Sequence, residues 1–248
     1  MYEFKSENVD RFFRELNSII LIRFKLVNDL GSNACMDFDP DIQTVIIRYK
    51  DHADESIDIL HELIHVEMFF RDAFCLLGWQ TGDPLATEEI TRVVFHIRNI
   101  VDDTYVFHAL FERFGVFPIS PIFFNACRTD CKRRKIQLME SERGLSRILI
   151  GAWRLRMAEL CTQDFNSGLT TSQRRACFRF LKMFSNQNPE IDQVLALLRS
   201  SVTPTSLGGA AEHSRALLLI RDYLGLPSEI VYLAKYEKSN HGFSLEKV

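Results

Sequence analysis

The sequence has no apolar run near the ~20 residues that a membrane-spanning helix needs, no glycine-rich phosphate loop, no internal repeat and no low-complexity tract. These absences argue against a membrane span, a P-loop nucleotide site, a solenoid and a disordered linker. Positive charge is not in excess either. The net charge is -3, so the chain as a whole is not built for nucleic acid, and neither nucleic acid nor a membrane is expected as a partner. The first residues, Met1 to Glu7, lack the apolar stretch of a secretory signal. The six cysteines are scattered and form no tight disulfide framework, so a reducing cytoplasm is the expected location. Cys127 and Cys131 share a helical spacing, but no second pair completes a tetrahedral site, and the expected reading is two small core residues.

What is present is an ordinary globular composition, 46% hydrophobic and 25% charged over 248 residues, with ample chain for a core. Ser6 begins a helical pattern carrying Val9, Phe12, Phe13 and Leu16. Ile22 to Leu26 alternates apolar and basic residues, and strands are expected there, near Cys35 to Phe38 and at Thr44 to Tyr49, as a small antiparallel sheet. Gly31-Ser32-Asn33 reads as a turn. A helix follows from Asp54 or Ser56. A long helix runs from Pro84 or Thr87 to Phe114, with Asp83 as cap, and Gly115 and Pro118 end it. Beyond Pro121 the pattern is all helical, in segments near 122–138, 141–162, 171–186, 188–202, 209–224 and 227–237. Gly208-Gly209 is a turn, and His213 reads as polarity at a helix start. The expectation is an α+β, predominantly helical fold: a small sheet with a motif helix over 1–118 and an all-helical region over 119–248. The stretch from Cys127 to Ala158 is basic and reads mainly as a solvated helix face.

The motif is His61-Glu62-Leu63-Ile64-His65. On a helix, two histidines four residues apart share a face, the spacing at which two imidazoles reach one zinc ion. Glu62 then lies beside the ion as a candidate general base. Ile59, Leu60, Leu63, Ile64 and Val66 give the helix an apolar side. Glu67 departs from that pattern.

Zinc also needs a third protein ligand and an open position. At ~100° per residue, Glu89, His96, Asp103 and Phe107 fall in one stripe of the long helix, bordered by Val93, Ile100, Phe111 and Phe114. Polar groups on such a stripe need a partner, and a metal is one. Asp103 is the first choice, with Asn99 near enough to orient a ligand. Glu89 suits helix capping, His96 suits a hydrogen-bonded core site, and Asp102 points off the stripe towards solvent. The rival role for Asp103 is a salt bridge to Arg92 or Arg98.

These residues resemble the zincin metallopeptidases, and more loosely their gluzincin branch, over roughly residues 20–114. The strand–helix–His-Glu-x-x-His order of Ile46 to Val66 is similar to the compact intracellular peptidase domains of the ImmA/IrrE group. The resemblance implies a zinc-dependent hydrolase that cleaves a partner protein, often a repressor, with Thr44 to Tyr49 as the sheet edge that aligns the substrate. Tyr105 or His108 would then be available to an oxyanion, though packing is the plainer role for both. That branch usually supplies glutamate as third ligand, where this chain offers Asp103. Asp102-Asp103-Thr104-Tyr105 is loosely similar to the Asp-x-x-Tyr signature of another, secreted zincin branch. The expectation is therefore a Zn2+ peptidase acting on a protein or peptide, with His61, His65 and Asp103 as ligands and Glu62 as base. The alternatives are a regulatory protein that binds a partner through its helical region, or a metal-dependent hydrolase of a non-peptide bond.

Overall fold

The computed structural model describes residues 4–30, 33–116, 119, 121–137, 144–162, 169–186, 188–201 and 209–248. The expected turn at Gly31-Ser32, the stop at Pro118 and the turn residue Gly208 lie outside the described residues. The fold is α+β and mostly helical. Helix α1 (Glu7–Asn17) is followed by strands β1 (Leu21–Leu26), β2 (Ala34–Asp39) and β3 (Thr44–Tyr49). The motif helix α2 (Leu60–Val66) is flanked by wider π-type turns at Glu55–Ile59 and Glu67–Arg71. Then come β4 (Leu76–Trp79) and the long α3 (Pro84–Phe114). Helices α4 (Pro121–Arg133), α5 (Gly144–Leu160), α6 (Thr171–Phe184), α7 (Pro189–Ser201) and α8 (Ala210–Tyr223) follow. The chain closes with β5 (Val231–Ser239) and β6 (Gly242–Lys247).

The first sheet has the order β1-β3-β2. Strand β3 pairs antiparallel with β2, as expected of this small sheet, and parallel with β1. The near-continuous apolar run Val45-Ile46-Ile47 explains its central place, since a strand covered on both faces has little use for charge. The substrate-aligning edge expected at Thr44 to Tyr49 is therefore corrected. β3 is the middle strand, and the edge beside α2 is β2.

The second sheet, β4-β5-β6, joins the front of the chain to its end. It corrects the expectation of a helix over 227–237, because Val231 to Ser239 is extended and returns through Asn240-His241-Gly242 to β6. Gly78 on β4 lets Tyr232 of β5 lie flat on the strand: a Cβ there would stand 2.8 Å from the ring. The two sheets are stitched by Gln43. Its amide donates to the Phe243 carbonyl at 3.1 Å and accepts from the Phe243 N–H at 2.5 Å, as a strand residue would.

One hydrophobic core runs through both parts of the chain, from Val9 and Phe12 through Leu63, Ile97 and Val101 to Leu155, Phe180 and Leu217. Helix α3 is its axis and meets α2, α5, α8 and β4. Among the described residues no helix is long and apolar enough to cross a membrane. Glu67, the polar break in the motif helix pattern, is 3% exposed. Its carboxylate takes Arg113 through both oxygens and also Arg71, so the buried charge is fully paired.

Candidate metal centre

Helix α2 buries Leu60, Leu63 and Ile64 and leaves His61 and His65 on the side that faces α3. One turn separates the two rings. Their Nε2 atoms stand 3.1 Å apart, with ring planes at 69°. From α3, Asp103 brings Oδ1 to 3.5 Å from His61 Nε2. Phe107, the next residue of the stripe, rests its ring 5.5 Å from that of His61. The three ligand atoms lie within 4.8 Å of one another. His61 and Asp103 keep 19% and 14% of their side-chain surface exposed, so the cluster is mostly buried but not sealed from solvent.

Two of these separations, 3.1 and 3.5 Å, are close to those of two atoms bound to one zinc ion, and the third is bounded only by 4.8 Å. Two ligand atoms about 2.05 Å from a tetrahedral centre stand about 3.3 Å apart. Without an ion the arrangement is poorly satisfied, because His61 Nε2 faces both a carboxylate and a second imidazole nitrogen, and one proton cannot serve both. The donor set of two imidazoles and one carboxylate also suits zinc chemically.

A hydrogen bond fixes Asp103 from behind. Its Oδ2 accepts from Trp153 Nε1 at 3.0 Å, across from α5. Orienting partners of this kind are what hold a ligating side chain in its working rotamer. Among the described residues, Asn99, near enough to orient a ligand, is not seen bonded to Asp103, and no ion pair joins Arg92 or Arg98 to it. Arg92 is taken by Glu88. Nothing near Trp153 in sequence marks it as a partner of residue 103, so only the packing of α5 on α3 reveals it.

Burial acts on the titratable groups in different directions. It pushes the Glu62 carboxyl up to about 7; Asp103 and Asp58 add to the rise, while His61 and a hydrogen bond from the backbone of Met36 oppose it. His65 is held well below the ordinary histidine value by burial, with His61, Arg98 and His213 adding positive charge around it. Burial would lower His61 too, but the hydrogen bond and charge of Asp103, with Glu62 and Asp58, outweigh it and raise the pKa. His65 is thus neutral, with a ring lone pair that could take a metal, whereas His61 holds a proton more readily and a metal there would compete with it.

The Met36 contact brings the edge strand to the site. The Lys50 N–H bonds to the Asn33 carbonyl, so alternation along β2 turns the N–H and C=O groups of Met36 and Phe38 away from β3. The Met36 N–H points towards Glu62.

The other candidates lie elsewhere. Glu89 is exposed near the start of α3, and His96 is half-buried; neither joins the cluster among the described residues. Asp102 is corrected. It does not face solvent but is 3% exposed and bound to His213 Nε2 at 2.7 Å. His213 is likewise corrected: it is fully buried on α8, between the rings of Phe74 and Tyr105, rather than a polar helix start. Adjacent residues of α3 thus serve two ends, Asp103 the histidine cluster and Asp102 an internal hydrogen bond to α8. Tyr105 is 4% exposed, and burial with Glu212 nearby pushes its hydroxyl up to about 12.

No protein-family model matches the chain, and no curated protein or solved structure matches it either. The functional reading therefore stands on the geometry of the cluster and the chemistry of its residues.

Proposed function

We propose that the protein is a zinc-dependent peptidase, with His61, His65 and Asp103 holding the ion and Glu62 as general base. The observation that carries this reading is the convergence of three ligand atoms from two helices, with two separations of 3.1 and 3.5 Å close to those around a tetrahedral ion and all three within 4.8 Å. Zinc, when bound, supplies a Lewis acid that brings the pKa of a water to about 7 and polarises a carbonyl.

The chain's own residues account for the rest. Trp153 holds Asp103 in place, with its other oxygen beside His61. Without an ion the Glu62 carboxyl is pushed up to about 7, and a bound cation beside it would favour the ionised form at neutral pH. A carboxylate so tuned takes a proton from the attacking water and returns it to the leaving nitrogen. The Met36 N–H steadies the ionised form. Strand β2 favours a peptide over other hydrolysable substrates: the outward Met36 carbonyl and Phe38 backbone groups, which Glu62 does not use, are what an extended chain needs to add itself as a strand.

The test joins metal content to cleavage. Purified protein should carry about one zinc per chain, and His61→Ala should lose it. Glu62→Gln should keep the zinc and lose hydrolysis of a peptide library. Cleavage that persists in Glu62→Gln removes the general base from this reading, and a native protein that binds no zinc removes the reading itself.

A further inference from the structure

We infer that the cleft between α4 and α6 is a binding site for the phosphate groups of a small phosphorylated molecule, of nucleotide size. The cleft has a volume of about 580 Å³. One wall carries Arg128 and Lys132 of α4, the other Arg175 and Arg179 of α6. Each pair is spaced i,i+4, which places two like charges side by side and destabilises a helix. Two such pairs face each other here, and none of the four cations pairs with a carboxylate among the described residues.

Compensating charge is missing from both helices. They hold one carboxylate between them, Asp130. It is buried and bound to Arg154 at 2.7 Å on the far side of α4. In a chain whose net charge is -3, this segregation of positive charge is local and concave. An anion in the cleft would relieve the repulsion within each pair and across the walls.

The details favour phosphate. Three of the four cations are arginines, whose planar fork binds phosphate oxygens in pairs. Along each wall the charges stand about 6 Å apart, four residues at 1.5 Å each, so neighbouring phosphoryl groups meet different side chains. Arg128 also donates to the Ser172 hydroxyl across the cleft, which holds that wall in position before any ligand arrives. The floor is apolar, with Ala176 and Met183. A bounded cleft with charged walls and an apolar floor suits a compact molecule with an anionic head, and its volume falls in the small-molecule range. A nucleic-acid strand would need a longer track. None of this depends on the metal cluster.

The test is calorimetric titration of the full chain with ATP, with inorganic tripolyphosphate and with a single-stranded oligonucleotide of about 20 nucleotides, at about 150 mM salt. ATP or tripolyphosphate should bind once per chain with a submillimolar Kd. Tighter binding of ATP assigns the floor to an organic body, and equal binding assigns the site to the free anion; both support the phosphate site. The exposed double variant Arg175→Gln/Arg179→Gln should weaken binding at least tenfold, while Lys182→Gln, on the same helix outside the cleft, should not. Unfolding curves matching the parent establish that the variants are folded. The inference is overturned if neither small ligand saturates, if the double variant binds as the parent does, or if the oligonucleotide alone binds.

Discussion

Trp153→Phe isolates the least expected part of the proposed metal centre. The substitution removes the indole N–H that reaches Asp103 Oδ2 at 3.0 Å and keeps an aromatic ring against Phe123, whose centroid lies 6.3 Å away. A hydrogen bond to a charged acceptor contributes about 1.5–3 kcal/mol. Removing the partner that orients a metal ligand typically weakens metal binding about 10–100-fold, or about 1.4–2.7 kcal/mol. The two figures agree, so a loss of zinc affinity of about one to two decades is expected. Competition against a chromophoric chelator measures it, and circular dichroism of the metal-free protein checks that the fold persists. Asp103→Ala, which removes the ligand itself, should cost more. A zinc Kd for folded Trp153→Phe within twofold of the parent would refute the idea that this hydrogen bond positions Asp103.

Other expectations follow from the same structure. In metal-free protein, Glu62→Gln should be more stable than the parent at pH 8. An acid raised from 4.5 to about 7 on folding confers stability that is complete below pH 4.5 and lost as pH rises through about 7, a difference of roughly 3 kcal/mol. Denaturant curves at pH 8 and pH 4.5 should therefore show a gap that closes at the acid end, and a constant gap would contradict the assignment. Zinc affinity should fall as pH drops through the raised His61 value, because the ion must displace that proton; a chelator competition series from pH 8 to pH 5.5 measures it, and a flat profile would count against His61 as a ligand. Asp130→Ala strands Arg154, 2% exposed and stacked on Phe123 and Phe180, and should cost about 3–5 kcal/mol in denaturant unfolding; a loss below 1 kcal/mol would be inconsistent with a buried pair. Gln43→Ala breaks both bonds to Phe243 and should cost about 1–2 kcal/mol, with faster amide exchange at Phe243 than in the parent.

The cluster was legible in sequence where helical periodicity alone decides position. His61 and His65 are one turn apart on any helix. Asp103 shares a stripe with Phe107 on a helix long enough for its phase to be clear. The hydrogen bond from Trp153 and the pairing of Asp102 with His213 cross 50 and 111 residues, and no local pattern encodes them. Their partners are chosen by how α5 and α8 dock on α3. The place of β3 at the centre of its sheet was readable in Val45-Ile46-Ile47, since β1 and β2 both interrupt their apolar residues with charge. The hairpin at the end had a signal as well: Val231, Tyr232 and Tyr236 favour strand, and Asn240 with Gly242, at φ +108°, marks the turn. Ile230, Val231, Leu233 and Ala234 also fit a helical face, and it is the pairing of β5 with β4, distant in sequence, that selects the strand.

The most direct test of the metal centre is a crystal structure of the zinc-loaded protein with anomalous scattering recorded on either side of the zinc edge. The account predicts one strong anomalous peak between α2 and α3, about 2.0–2.1 Å from the Nε2 atoms of His61 and His65 and about 2.0–2.2 Å from an Asp103 oxygen. A peak bound elsewhere, or two rings turned apart with no ion between them at saturating zinc, would contradict it.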